Sequence, residues 1–131
     1  MNHFPLSLKE VERVEIVTLI DNYVDVLLTS TDTVERPPKA KDEKIPRDTL
    51  LAEHGLSLLV TVYQGENKHT LLFDTGYSPV GVPHNVEQLE VNLAEIEAII
   101  LSHGHMDHAG SLYTLLDKLT KPVRLYLHPG A

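Results

Sequence analysis

The sequence predicts an α+β domain, a mixed sheet with helices on its outer face. Two observations carry this. A pair of β-rich runs is joined by a short polar turn, and a later strand–helix–strand passage brings in a parallel neighbour. In chain order, "VERVEIVTLIDN" alternates Val11, Val14 and Ile16 before an apolar run into Ile20, which predicts a strand ending at Asp21-Asn22. "YVDVLL" fits one helical turn or an extended continuation equally well. Residues 30–48, "STDTVERPPKAKDEKIPRD", hold three prolines and mixed charges without apolar period, so they form a long polar loop. "GLSLLVTVY", "QGENK" and "HTLLFDTG" predict a hairpin turning at Gly65.

The second half alternates helix and strand. Short helices are expected around Asn85 to Leu89 and Leu93 to Glu97, followed by a buried strand, "AIIL". Ser111 is placed to cap a helix with Leu112, Leu115, Leu116 and Leu119 on one stripe. Pro122 ends that helix and "VRLYLH" reads as the last strand. A chain of 131 residues, 42% hydrophobic, suits a single domain over 1–131.

Charge and composition exclude several functions. With 11 Lys and Arg against 19 Asp and Glu, the net charge is −8, which argues against nucleic acid as a partner. No cysteine is present, so neither disulfides nor thiolate metal sites can form, in keeping with a reducing compartment. The N-terminus has no basic segment before an apolar run, and "LSLLVTVY" is far short of the ~20 residues a membrane helix needs. A cytoplasmic protein without a membrane partner is expected.

The chemistry concentrates in "LSHGHMDHAG", residues 101–110. His103 and His105 lie two apart and point the same way if extended, with Gly104 leaving room between them. Asp107 and His108 follow in the first turn of the next helix. Imidazole nitrogen and carboxylate oxygen are ligands for Zn²⁺, Mn²⁺ and Fe²⁺. Four such groups exceed what one catalytic ion takes from one segment. They suit two adjacent divalent ions, His103 with His105 and Asp107 with His108, Zn²⁺ being favoured. The competing reading is a polar loop in which Asp107 merely satisfies backbone donors.

"SHGHMDHAG" resembles the His-x-His-x-Asp-His motif of the metallo-β-lactamase superfamily, and "LLFDTG" resembles the strand and turn preceding it there. "LIDN", "LLAEHGLSLLV" and "LHPGA" resemble the branch similar to 7,8-dihydropterin-6-methyl-4-(β-D-ribofuranosyl)-aminobenzene-5'-phosphate synthase. The resemblance implies an αββα sandwich with a dinuclear site at the sheet edge. His103 and His105 would hold the first metal, and Asp107 and His108 the second. Asp107 would also orient the attacking water or hydroxide. Asp74 would hydrogen-bond behind the ligands, or else accept backbone N–H groups in the turn with Gly76. His54 in "AEHGLS" either lines the mouth of the site or sits in a surface turn. His84 is a weaker candidate for a substrate contact, His69 is expected to be solvated, and His3 belongs to the tail.

The implied activity is hydrolysis of an ester, phosphoester, thioester or amide of a small molecule by a metal-activated hydroxide. Two departures qualify it. Ser111 stands where the family commonly has a second glycine. The family's remaining ligands come from the second half of its fold, and after His108 this chain offers only Asp117 and His128, neither at a ligand position. The chain therefore looks like the N-terminal half of such a hydrolase. The alternative is a truncated, non-catalytic half-domain that binds metal weakly or serves as an interaction module, self-associating through its exposed sheet.

Overall fold

The computed structural model describes residues 7–40, 44 and 46–131; His3 lies outside them. Among the described residues five strands form one sheet in the order β1-β2-β3-β4-β5: Arg13–Ile20, Ser57–Gln64, Asn67–Phe73, Ile96–Ile100 and Arg124–Tyr126. The first three are antiparallel, while β3, β4 and β5 run parallel. This is the mixed sheet expected of an α+β chain. β2 and β3 are joined through Gly65 and Glu66, with Gly65 at φ +57°, a conformation glycine takes without penalty. "YVDVLL" is neither helix nor strand. The Asp25 carboxylate accepts from Leu27 N at 2.8 Å and makes a local turn there.

The helices differ in extent from the sequence expectation. α1 runs Gly81–Gln88, four residues earlier than Asn85, because Pro83 falls in its first turn, where a missing N–H costs nothing. The segment expected at Leu93 to Glu97 is a single 3₁₀ turn, Leu93–Glu95, capped by the Asn92 side chain accepting from Ala94 N. β4 then starts at Ile96, two residues before "AIIL". α2 is Met106–Ala109 and α3 is Leu112–Lys118. Ser111 occupies the cap position of α3 but does not cap it; its hydroxyl donates to Ser78 O instead. That bond ties α3 to the loop before α1.

One face of the sheet carries the core. Leu72, Ile96 and Ile99 pack with Leu19, Ile20, Val82 and Val86 of α1, and Leu115 of α3, all buried. The predicted stripe of α3 is present, with Leu112, Leu116 and Leu119 partly buried against that core. Asn85 is 2% exposed, yet fully engaged: Oδ1 accepts from Leu51 N, and Nδ2 donates to Leu19 O and Leu51 O. It thus fastens α1 to the end of β1. Among the described residues no buried side-chain nitrogen or oxygen lacks a hydrogen-bond partner.

Strand alternation and register place Val14, Ile16, Leu58, Val60, Val62, Leu71, Phe73 and Ile100 on the opposite face. They are half-buried to exposed; Ile16 reaches 60%. The domain is therefore one helix layer on one sheet, half of the αββα arrangement. At the rim, the Lys68 ammonium holds the Glu95 carboxyl below the usual carboxylate range; the pair is exposed and adds little stability. Among the described residues no helix is long and apolar enough to cross a membrane.

Candidate metal centre

The site forms where β3 and β4 end side by side. β3 leads into Asp74, held at φ +57°, a left-handed conformation that Asp tolerates better than most residues. Its backbone N donates to Ile100 O (2.9 Å), and its carbonyl accepts from Ser57 Oγ (2.8 Å). The carboxylate is thereby fixed, fully buried, beneath the loop that follows β4.

That carboxylate organises the loop above it. Oδ1 accepts from Ser102 N (2.7 Å), and Oδ2 accepts from Ser102 Oγ (2.7 Å). Oδ2 also lies 2.7 Å from His108 Nδ1. A buried carboxylate accepts only, so His108 carries its proton on Nδ1 and presents Nε2 outward. The Ser102 hydroxyl, having given its proton to Asp74, accepts from His103 Nδ1 at 2.9 Å. His103 is thereby left with a free Nε2 as well. One buried acid sets the ring orientation of two histidines.

The backbone completes the frame. Thr75 N donates to His108 O (2.7 Å), and Gly110 N donates to Gly76 O (2.8 Å), lacing α2 to the turn after β3. A Cβ on Gly110 would fall 1.7 Å from Tyr77 O, so only glycine fits there. Glu53 secures the far side of the same turn by accepting from Tyr77 N (3.2 Å) and Ser78 N (3.0 Å).

Ligand atoms of His103, Asp107 and His108 lie within 4.8 Å of one another. Asp107 Oδ2 is 3.4 Å from His108 Nε2. The His103 ring centroid lies 4.3 Å from that of His108 and 4.6 Å from that of His105. His105 stands at the N-terminus of α2, outside the three-residue group but edge-on to His103. The donor set suits a divalent ion: two imidazoles with Nδ1 engaged and Nε2 free, beside one carboxylate.

The remaining candidates are dispersed. His54 reaches the cluster, with Nε2 3.3 Å from Asp107 Oδ2. His84, on α1, is bonded through Nε2 to Thr49 O (2.8 Å), outside the cluster. His69 pairs with Glu97 at 3.0 Å at the surface. His128 Nδ1 accepts from Gly130 N in the final turn, and Asp117 is exposed on α3. Sequence reasoning missed Ser102; its position between the end of β4 and His103 was the signal.

A family model of the metallo-beta-lactamase superfamily matches residues 51–130. The chain belongs to the metallo-beta-lactamase superfamily. It is 36% identical over 79 residues to 7,8-dihydropterin-6-methyl-4-(beta-D-ribofuranosyl)-aminobenzene-5'-phosphate synthase of Methanocaldococcus jannaschii, a match covering 60% of this chain and 27% of that protein. To a metal-dependent hydrolase of Herpetosiphon aurantiacus it is 42% identical over 43 residues, or 33% of this chain and 18% of that one. The chain thus spans about a quarter or less of the length of these relatives. Among solved structures, the MIM-2 metallo-beta-lactamase aligns at a TM-score of 0.44 and 25% identity, covering 58% of this chain and 27% of that one. MIM-1 from Novosphingobium pentaromativorans aligns at 0.39 and 28%, covering 52% and 24%.

Proposed function

We propose that this chain contributes the nucleophile-generating side of a metal-dependent hydrolase acting on an ester, phosphoester, thioester or amide of a small molecule. The observation that carries it is the convergence of His103, Asp107 and His108 over one buried acid, Asp74, which fixes both imidazoles. His103 and His105 would hold one divalent ion, and Asp107 and His108 a second, Zn²⁺ being favoured and Mn²⁺ or Fe²⁺ accepted by the same donors. Ions bound there would supply Lewis acidity and lower the pKa of water toward neutrality. The chain's own part is to hold both Nε2 atoms forward, through Asp74 and Ser102. The Asp107 carboxylate, 24% exposed, can orient a water at the mouth of the site. A cytoplasmic setting is part of this reading, from the cysteine-free composition.

The test is turnover of generic ester and phosphoester substrates by the metal-loaded full-length form. Asp107→Asn keeps the shape but not the charge, and should lower turnover by at least about 100-fold, in the range of a lost acid–base group. His103 and His105 should still bind metal in that variant. Full turnover by Asp107→Asn would refute the role given to Asp107.

A second reading is favoured by the uncovered sheet face. A non-catalytic module that binds metal weakly would use Ile16, Val60, Val62 and Phe73 to associate with a second copy. Light scattering after size exclusion should then show dimers or larger species, and Ile16→Lys with Val62→Lys should restore the monomer. A wild-type chain that stays monomeric at high concentration would rule this out.

A further inference from the structure

Asp107 is gripped by a segment about fifty residues earlier in the chain. Leu56 N donates to Asp107 O at 3.2 Å. Gly55 sits so close to that carbonyl that a Cβ would fall 2.3 Å from its oxygen, and its φ of +137° is one that other residues rarely adopt. His54, next in line, reaches the other end of the same residue. Its Nε2 is 3.3 Å from Asp107 Oδ2.

The segment has a second anchor. His54 Nδ1 lies 3.2 Å from Asn22 Oδ1, just past the end of β1. That oxygen also accepts from Gly55 N at 3.2 Å, which fixes which end of the Asn22 amide faces the imidazole. Both facing oxygens are acceptors and a neutral imidazole has one N–H, so the tether is Gly55 N to Asn22 Oδ1, and His54 Nε2 is the nitrogen placed to donate to Asp107, with 77% of the side chain exposed. Among the described residues, His54 and His108 are the groups within ion-pair distance of the Asp107 carboxylate. Asp74 orients His108 from below. His108, with its proton on Nδ1, turns an unprotonated Nε2 to that oxygen, so among those residues His54 is the ring placed to donate to Asp107 Oδ2.

We propose that His54 is a positioning residue for Asp107: on a segment tethered by Asn22, it holds Oδ2 in the orientation the metal cluster uses. His54 lies outside the group of ligand atoms within 4.8 Å of one another, so it acts through Asp107 rather than as a further member. This rests on the metal reading above, and it gives "AEHG" and "LIDN" a shared purpose. The first supplies the ring and the close-packed glycine, and the second supplies the tether.

Co²⁺ titration of the whole chain, followed by visible absorption and calorimetry, tests it. His54→Ala should weaken Co²⁺ binding by about 10-fold and alter the cobalt spectrum, the scale on which groups that orient ligands act. His54→Gln, whose amide nitrogen can reach the place of Nε2, should recover most of that loss. In an Asp107→Ala background, adding His54→Ala should change nothing. The proposal is overturned if His54→Ala binds Co²⁺ as wild type does while His103→Ala loses it; the metal reading then stands without His54. It is equally overturned if the His54 effect persists without Asp107. Equal Co²⁺ binding by wild type and His103→Ala would remove the metal reading itself, and this proposal with it. Circular dichroism of each variant confirms the fold, which an exposed side chain should not disturb.

Discussion

Asp74→Ala is expected to destabilise the domain by about 3 kcal/mol and to weaken metal binding by about 10- to 100-fold. The substitution removes the acceptor from Ser102 N, Ser102 Oγ and His108 Nδ1 at once, all within 2.7 Å of the carboxylate. Donors left without partners beside a fully buried position carry the desolvation cost. Asp74→Asn separates the two effects. Its remaining oxygen can still serve Ser102 N, so stability should be partly kept. Its NH₂ would then face His108 Nδ1 and drive that ring to the tautomer with its proton on Nε2, the atom offered to the metal. Metal affinity should therefore fall in Asp74→Asn by more than its stability loss implies. Urea denaturation and Zn²⁺ competition titration, run side by side, check this. Wild-type Zn²⁺ affinity in Asp74→Asn would show that the buried acid does not set the His108 tautomer.

Much of this was legible in the sequence where local chemistry decides local structure. The strand in "VERVEIVTLI", the "QGENK" turn and the stripe of α3 are each present, and burial enforces the stripe, whereas the alternating Val14 and Ile16 lie exposed on the uncovered face. The helix boundaries were less legible. "SPVGVPHNV" is dense in glycine and proline, which disguises a helix start where Pro83 is in fact well placed. Ser111 satisfied the local rule for a cap but found a better acceptor in Ser78 O, a partner 33 residues away.

The same division runs through the candidate site. His103, His105, Asp107 and His108 announce themselves because four donor groups crowd six positions. Asp74 was visible as one of two alternatives, and the structure sets it against His108 and Ser102 rather than in the Gly76 turn. Asn22 and Glu53 were invisible, since their partners lie 33 and 24 or 25 residues away and no spacing rule connects them. Tertiary contact alone makes them part of the frame. Residues 30–48 contain no helix or strand among those described, beyond an isolated bridge at Lys44.

The largest single effect is expected from removing the proposed first ligand pair, His103 with His105. His103 and His105 supply two imidazoles whose rings meet at 4.6 Å, and His103 also belongs to the three-residue group with Asp107 and His108. Removing both takes away the whole proposed ligand pair of one ion and, with His103, one of the three donor groups that converge on the cluster. Elemental analysis by mass spectrometry, on protein purified without chelator and on the His103→Ala, His105→Ala double variant, tests the account most directly. The wild-type chain should retain divalent metal, and the folded double variant should lose nearly all of it. Equal metal content in the two proteins would contradict the assignment of this cluster as a metal centre.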